Sequence, residues 1–325
     1  MKKFINNVDE ILTESLTGFG DAHNDILEVK LKPDFVARKS KPANPKVALI
    51  SGGGSGHEPL HGGFVGYGML DAACPGQVFS APTPDQMEAA ANYVHSGKGI
   101  LFIVKNYSGD IMNFEMGAEM LDLEHKTIIV NDDDAVEDST YTTGRRGVAG
   151  TMIVEKTVGS LAETGASLDE CKIFGDHVNK MTASMGVAFT SCTVPAAGKP
   201  TFDIGSDEME FGVGIHGEPG RKREKIKTAN EITSELMGAI LEDLKPSNNQ
   251  EVLLHANGFG GTPLMELYLL FNSAKKILDQ NNIKVTRSLI GNFTTSLDMA
   301  GGSLTVAKLD DKIVQHWDSP VHTPA

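Results

Sequence analysis

Cysteine is scarce in this chain, with three residues in 325. Cys74, Cys171 and Cys192 are far apart, and none belongs to a CxxC pair. An odd, sparse set of this kind is typical of reduced, buried thiols in a cytoplasmic protein. We therefore expect a cytoplasmic location and a fold that needs neither disulfides nor a metal for its stability.

Long apolar runs and positive charge are also in short supply. Two lysines at the amino terminus are followed only by Phe4 and Ile5 before amides and acids interrupt, so we expect no signal peptide. No later run is long enough to span a bilayer. The chain has 29 Lys and Arg against 43 Asp and Glu, a formal net charge of -14. This surplus of negative charge argues against binding to nucleic acid or anionic lipid, because the polyanion would be repelled.

What the chain does contain is a regular alternation of strand and helix patterns. Apolar runs at 46–50, 99–104 and 127–130 predict buried strands, and helices are predicted between them at about 83–95 and 110–121. Strands that alternate with helices favour a largely parallel sheet with helical cover.

The length favours two α/β domains with largely parallel or mixed sheets covered by helices. A shift to short elements rich in Gly and Pro places the domain boundary near residue 185, which gives domains 1–184 and 185–325. Near the end, β-rich runs at 303–308 and 312–317 flank a short acidic segment and predict a hairpin.

The densest candidate site is residues 52–59, GGGSGHEP, directly after the first strand. Glycines there permit a sharp turn and bring backbone N–H groups close to a small polar or anionic ligand, at the sheet edge where open α/β sheets bind ligands. A sharp turn without a ligand is the alternative. No Lys-Ser or Lys-Thr pair follows the glycines, so this is not a Walker A loop and nucleotide binding by this chain is not supported.

The same stretch matches the HExxH pattern of zinc hydrolases from His57 to His61. That chemistry needs both histidines on one face of a continuous helix, and Pro59 disfavours helical dihedrals at Glu58. We therefore expect no metal here and a structural role for His61.

Other charged residues follow the second and third strands. Asp110 could act as a general base near the glycine cluster, or simply cap a helix. The acidic run 132–134 favours a solvated turn over a metal site. Arg145 and Arg146 could meet a phosphate at a helix start, although surface charge or a subunit contact explains them equally well.

The second dense motif is residues 212–220, GVGIHGEPG. His216 follows an apolar run and lies between glycines, a setting that favours exposure to a cleft, where imidazole can act as a nucleophile. A structural histidine in a turn is the alternative.

Three motifs in this order, at residues 52–59, 105–110 (KNYSGD) and 214–220 (GIHGEPG), closely resemble those of the substrate-binding subunit of dihydroxyacetone kinases. The resemblance covers nearly the whole length and also includes TVPAAGKP, TSLDM and the final PVHTPA. Three ordered motifs are far more specific than any one alone.

The resemblance implies a role for five residues. His216 would form a covalent hemiaminal with the substrate ketone, Asp110 would be the base for the accepting hydroxyl, and His57 would be a hydrogen-bonding and acid/base partner. Gly54 and Lys105 would contact substrate oxygens. A reversible carbon–nitrogen bond forms with a ketone but not with glycerol, so selectivity would follow carbonyl reactivity.

The resemblance also implies partners. The expected form is a homodimer that works with a separate helical kinase subunit carrying ADP or ATP with magnesium, recharged by a phosphoryl carrier of the bacterial phosphoenolpyruvate-dependent phosphotransferase system. This chain itself would then bind no cofactor. A regulatory relative that binds dihydroxyacetone and co-activates a transcription factor remains the alternative.

Overall fold

The computed structural model describes residues 2–135, 143–218 and 220–325. Its strands form two six-stranded sheets with helical cover, which confirms the expected α/β class with mixed sheets.

The described residues of the first half of the chain form one sheet and five α-helices. Its elements are α1 (Ile11–Ala22), β1 (Leu27–Lys30), β2 (Phe35–Arg38), β3 (Ala48–Ser55), β4 (Ala72–Val78), α2 (Pro84–Val94), β5 (Ile100–Lys105), α3 (Ser108–Glu119), β6 (His125–Val130), α4 (Gly150–Glu163) and α5 (Leu168–Lys180). The second half contributes β7 (Thr182–Ala188), β8 (Glu208–Phe211), β9 (Lys222–Lys225), α6 (Ala229–Leu244), β10 (Glu251–Gly258), α7 (Leu264–Gln280), β11 (Lys284–Gly291), β12 (Gly301–Lys308) and α8 (Asp311–Trp317).

The first sheet has the order β1-β2-β4-β3-β5-β6. Strands β3, β5 and β6 are parallel, as the sequence predicts. Strand β4, which the sequence pattern did not predict, is parallel to β3, whereas β1 and β2 join antiparallel at one edge. Because β3 and β5 are neighbours, the segments that follow them emerge at the same sheet edge, where α/β folds bind ligands.

The second sheet has the order β11-β10-β12-β7-β8-β9 and is mostly antiparallel, with only β10 and β11 parallel. Strand β7 begins at Thr182, three residues before the expected boundary at 185, and α8 packs back on α4. The division into 1–184 and 185–325 therefore stays a prediction.

Helices α4 and α5 lie between the two sheets. One hydrophobic cluster joins residues of β3, β5 and β6 to both helices and to β10 and β12 of the second sheet. As a result α4 is buried along thirteen consecutive residues, from Gly150 to Ala162. A helix covered on both sides is normally apolar all round, so the polar residues of α4 require an explanation.

The hairpin predicted at the end of the chain is wrong in its second half. Residues 303–308 do form a strand, within β12, but 312–317 form helix α8. The Asp310 carboxylate accepts a hydrogen bond from the Ile313 N–H at 2.8 Å and caps this helix. The acidic segment is therefore a helix start and not a turn between strands.

Candidate active site

The first glycines of the cluster form the carboxyl end of strand β3, so the sharp turn predicted directly after the apolar run begins later than expected, at Gly56. The pairing of β3 with β4 continues through the glycines, which permit close approach instead of turning the chain. A Cβ atom on Gly52 would lie 2.4 Å from the Cys74 carbonyl oxygen, and one on Gly54 would lie 2.6 Å from the Ser80 nitrogen. The chain leaves the strand only at Gly56, where φ is 104°.

His57 follows directly, in a segment of turns that extends to His61. Its Nδ1 lies 2.8 Å from the Thr295 carbonyl oxygen, whereas its buried Nε2 has no hydrogen-bond partner among the described residues. Burial, helped by the charges of His216 and Lys105, lowers the pKa of His57 well below its usual value. The neutral ring therefore donates through Nδ1–H and offers Nε2 as an acceptor.

His216 lies between aromatic rings contributed by the first half of the chain. Its ring meets those of His57, Tyr107 and Phe79 edge-on, with centroid distances of 4.7, 4.5 and 5.3 Å. The side chain keeps 14% of its surface exposed. These contacts hold the imidazole in place while one side stays open.

Glu218 supports His216 from behind, a role that the sequence reasoning missed. Its Oε2 accepts the backbone N–H of His216 at 2.9 Å, and its Oε1 lies 3.9 Å from His216 Nδ1 and 3.6 Å from Arg146 Nη1. Although burial alone would raise it, the pKa of Glu218 is lowered by the hydrogen bond from His216 and by the nearby His216 and Arg146 charges. Its position two residues from His216 is the available sequence signal. The next motif residue, Pro219, lies outside the described residues.

The acidic run 132–134 is buried, so the predicted solvated turn is wrong. Asp132 accepts hydrogen bonds from the Val148 and Gly150 N–H groups at the start of α4. Asp133 pairs with the fully buried Arg146 at 2.6 Å. These acids stabilise the junction between the two sheets and are not free for a metal ion.

The two arginines are likewise engaged in internal ion pairs. Arg146 also donates to the Gly212 carbonyl oxygen at 2.7 Å, and Arg145 pairs with Asp134 and Asp243. A phosphate site at Arg146 is therefore not supported, because its guanidinium is buried in the contacts that anchor the 212–220 segment.

Asp110 is the third residue of α3, and Tyr107 occupies the N-cap position. The capping alternative is therefore wrong, and the buried Asp110 carboxylate faces the cavity beside His216. Lys105, at the end of β5, is fully buried, with its Nζ 3.5 Å from Asp110 Oδ2 and 3.2 Å from the Gly52 carbonyl oxygen.

A cavity of about 520 Å³ joins these residues at the junction of the two halves. Its walls include Gly54, Phe79, Tyr107, Asp110, Thr201 and His216. His57 contacts His216, and Lys105 contacts Asp110. The structure thus brings together all five residues selected from the sequence. Phe79 and Thr201 carried no sequence signal, because each reaches the cavity only through the fold.

Within the described residues, no group of three or more His, Cys, Asp or Glu side chains is arranged to hold a metal ion. No helix in the described ranges has the length and apolar character needed to cross a membrane.

Known proteins of one family are similar to this chain along nearly its whole length. Residues 17–325 match the Dak1 domain. The dihydroxyacetone-binding subunit DhaK of the PEP-dependent dihydroxyacetone kinase of Escherichia coli (strain K12) is 45% identical, with 100% of this chain and 99% of the relative covered. The corresponding PTS-dependent subunit of Lactococcus lactis is 48% identical over 95% of this chain and 94% of the relative.

Solved structures agree as well. The dihydroxyacetone kinase of C. freundii superposes with a TM-score of 0.88 at 31% identity, covering 100% of this chain and 60% of that one. The dihydroxyacetone kinase operon co-activator DhaQ gives a TM-score of 0.90 at 32% identity, with 98% of both chains covered. Fold, motifs and similarity coincide, and the chain therefore belongs to the Dak1 domain family, alongside the dihydroxyacetone-binding subunits of dihydroxyacetone kinases.

Proposed function

We propose that this chain is the substrate-binding subunit of a dihydroxyacetone kinase and holds dihydroxyacetone as a covalent hemiaminal on His216. The observation that carries the proposal is the open side of the His216 ring, in a cavity shared with the Asp110 carboxylate. With Nδ1 facing Glu218, Nε2 is the nitrogen available to attack the ketone carbon. The proton that the imidazole gives up ends on the former carbonyl oxygen, so a neutral hemiaminal results.

His57 and Asp110 complete the chemistry. His57 Nε2, the unpartnered acceptor, can receive a hydrogen bond from the substrate and pass a proton during addition. Asp110 would take the proton of a terminal hydroxyl of the bound substrate while the oxygen of that hydroxyl attacks the terminal phosphoryl group of ATP on the partner subunit. The bond from that phosphorus to ADP would break, ADP would leave, and reversal of the addition to His216 would release dihydroxyacetone phosphate. Gly54, which has no side chain, lets the substrate approach the β3 backbone. The Lys105 ammonium fixes the position of the Asp110 carboxylate.

The phosphoryl donor belongs to a partner in this proposal. A nucleotide-binding kinase subunit would bring ADP or ATP with magnesium to the cavity mouth, and a phosphotransferase-system carrier would recharge it. The E. coli and L. lactis relatives, named as PEP- or PTS-dependent, support this arrangement. The apolar residues exposed on α7, among them Met265 and Tyr268, support the proposed homodimer.

The test is ¹³C NMR with dihydroxyacetone labelled at the carbonyl carbon, combined with intact-protein mass spectrometry. Wild-type protein is expected to convert the ketone signal into that of a tetrahedral carbon and to gain the mass of one substrate. His216→Ala should show neither change, because the attacking nitrogen is gone. An adduct of undiminished yield in this variant would reject the covalent tether.

A regulatory role is the second candidate, favoured by the likeness to the co-activator DhaQ. Both candidates bind dihydroxyacetone, so the adduct does not separate them. Among the solved structures the C. freundii kinase and the co-activator are almost equally similar to this chain, at 31% and 32% identity. The enzyme is favoured because Asp110, His57 and Lys105 are all present at the site. Turnover with a nucleotide-carrying partner subunit distinguishes them, since a co-activator forms the adduct without transferring phosphate.

A further inference from the structure

Helix α4 carries a carboxylate, Glu155, that neither the fold nor the reaction proposed above explains. Its side chain is fully buried between the two sheets, and its Oε2 has no hydrogen-bond partner among the described residues. Burial raises the pKa of Glu155 to about 8. A buried carboxylate that is only half satisfied lowers stability, and such groups concentrate at functional sites.

Glu155 is connected to the cavity by a chain of short contacts. Its Oε1 lies 2.6 Å from His61 Nδ1, and His61 Nε2 lies 2.9 Å from Lys105 Nζ. Lys105 Nζ in turn lies 3.5 Å from Asp110 Oδ2. All four side chains are buried, so no bulk water competes for these contacts.

The position of each proton in this series of side-chain contacts follows by elimination. A lysine ammonium only donates, so His61 Nε2 must accept from Lys105. Burial, together with the charge of Lys105, lowers the pKa of His61 well below its usual value, so the ring is neutral and its one proton sits on Nδ1. That N–H points at Glu155 Oε1.

Ser51 is the other neighbour of His61 Nδ1, at 3.0 Å. Its hydroxyl donates to the Ile103 carbonyl oxygen at 2.7 Å, so toward Nδ1 its oxygen can only accept, as a second and uncharged acceptor beside Glu155. Glu155 Oε1 can accept from Nδ1–H whether Oε2 carries a proton or not. Every link then has one donor and one acceptor.

We propose that Glu155 and His61 are positioning residues that aim the Lys105 ammonium at Asp110. Glu155 accepts the Nδ1–H of His61 and thereby adds to the preference, set from the other side of the ring by Lys105, for the tautomer whose Nε2 accepts one Lys105 proton. A second proton goes to the Gly52 carbonyl oxygen and the third faces Asp110. Without Glu155 only the uncharged Ser51 oxygen remains to accept from Nδ1–H, so the preference for this tautomer weakens. In the other tautomer the Nε2–H group faces the Lys105 ammonium, two donors meet, and Lys105 turns away from Asp110. The inference rests on the role proposed above for Asp110.

The tautomer is tested directly, without substrate, by NMR of ¹⁵N-histidine-labelled full-length protein. His61→Gln identifies the His61 signals by their loss. In the wild type, Nδ1 should be protonated and Nε2 unprotonated. Glu155→Leu should weaken this preference, and Glu155→Gln should keep it, because its amide oxygen accepts the same N–H. A wild-type ring protonated at Nε2, or an unchanged ring in Glu155→Leu, would overturn the proposal.

The functional consequence is tested in a phosphorylation assay reconstituted with a nucleotide-carrying partner subunit. Glu155→Leu should lower kcat by roughly 10- to 100-fold, the scale of a misplaced catalytic group, and Glu155→Gln should restore most of it. The matched control is Thr157→Val, two residues further along buried α4, whose hydroxyl bonds only within its own helix. This control should stay within about twofold of the wild type, since it removes a hydrogen bond within the helix and leaves Glu155, His61 and Lys105 unchanged.

A double-mutant cycle separates positioning from general damage. In a Lys105→Met background, Glu155→Leu should have no further effect on kcat, because the residue through which it acts is gone. An equal loss with and without Lys105 would contradict the proposal. If Glu155→Leu does not fold, His61→Gln replaces the ring that contacts Lys105, and the same double-mutant cycle is carried out with that variant. If the wild type shows no phosphorylation, the proposed function has failed, while the tautomer measurement still decides the positioning pair.

Discussion

At the scale of single residues, the site shows how one residue type takes different roles in different surroundings. His216 keeps one open side, His57 is buried with a free acceptor, and His61 is buried between a cation and a carboxylate. His61 was expected to be purely structural, and its contacts with Lys105 and Glu155 support a larger role. The environment of each imidazole, more than its presence, defines its chemistry.

Asp110→Asn tests the proposed base. The amide preserves the shape of the side chain but cannot take a proton, so adduct formation on His216 should remain while phosphorylation slows by about two or more orders of magnitude. ¹³C NMR measures the first and the reconstituted assay the second. Glu115→Gln, an exposed change on the same helix, is the control. Turnover equal to the wild type would remove Asp110 from the mechanism.

At the scale of elements, local capping decides the last helix. Asp310 satisfies the Ile313 N–H at the start of α8, whose buried face includes Ile313 and His316. Its carboxylate also pairs with His177 on α5, but both side chains are more than one-third exposed, so that pair contributes little. The N-cap hydrogen bond therefore contributes more to the stability of α8 than the ion pair does.

Asp310→Ala should therefore lower the free energy of unfolding by about 1 kcal/mol, the usual contribution of an N-cap. Urea denaturation monitored by circular dichroism measures the difference. His177→Ala removes the ion pair but leaves the cap, and is expected to change stability by less than about 0.5 kcal/mol. Equal losses in the two variants would show that the ion pair, not the cap, stabilises α8.

At the scale of the whole molecule, the position of α4 between two sheets makes stability depend on pH. The folded-state pKa of Glu155 is about 8, above the ordinary value of 4.5. As pH rises through this window the unfolded chain releases the proton while the folded protein retains it. The contribution of Glu155 to stability is therefore present at low pH and lost as pH approaches and passes 8.

Glu155→Gln removes this proton-linked loss. Between about pH 5 and pH 8, the free energy of unfolding should fall less for the variant than for the wild type, as measured by urea denaturation at each pH. Asp133, whose pKa burial raises to about 6, is present in both proteins and cancels in the comparison. Parallel curves for the two proteins would contradict a titrating Glu155.

The elements that the sequence predicted well are those with strong local signals. The strands near β3, β5 and β6 and the helix opened by Thr83-Pro84 are close to their predicted places, because buried apolar runs and capping boxes are local properties. The turn at the glycines begins later than predicted, because a glycine run fits both a turn and a close strand pairing. The terminal hairpin failed because a seven-residue helix resembles a short strand.

The motif histidines and Asp110 could be selected from the sequence, since their residue types and neighbours already indicate carbonyl and hydroxyl chemistry. What only the tertiary structure decided is which of them meet: His216 with His57 and Tyr107, and Glu155 with His61 and Lys105. These contacts join residues far apart in the chain, and the burial that sets their pKa values comes from both sheets. No local pattern carries that information, because it arises from packing the two halves together.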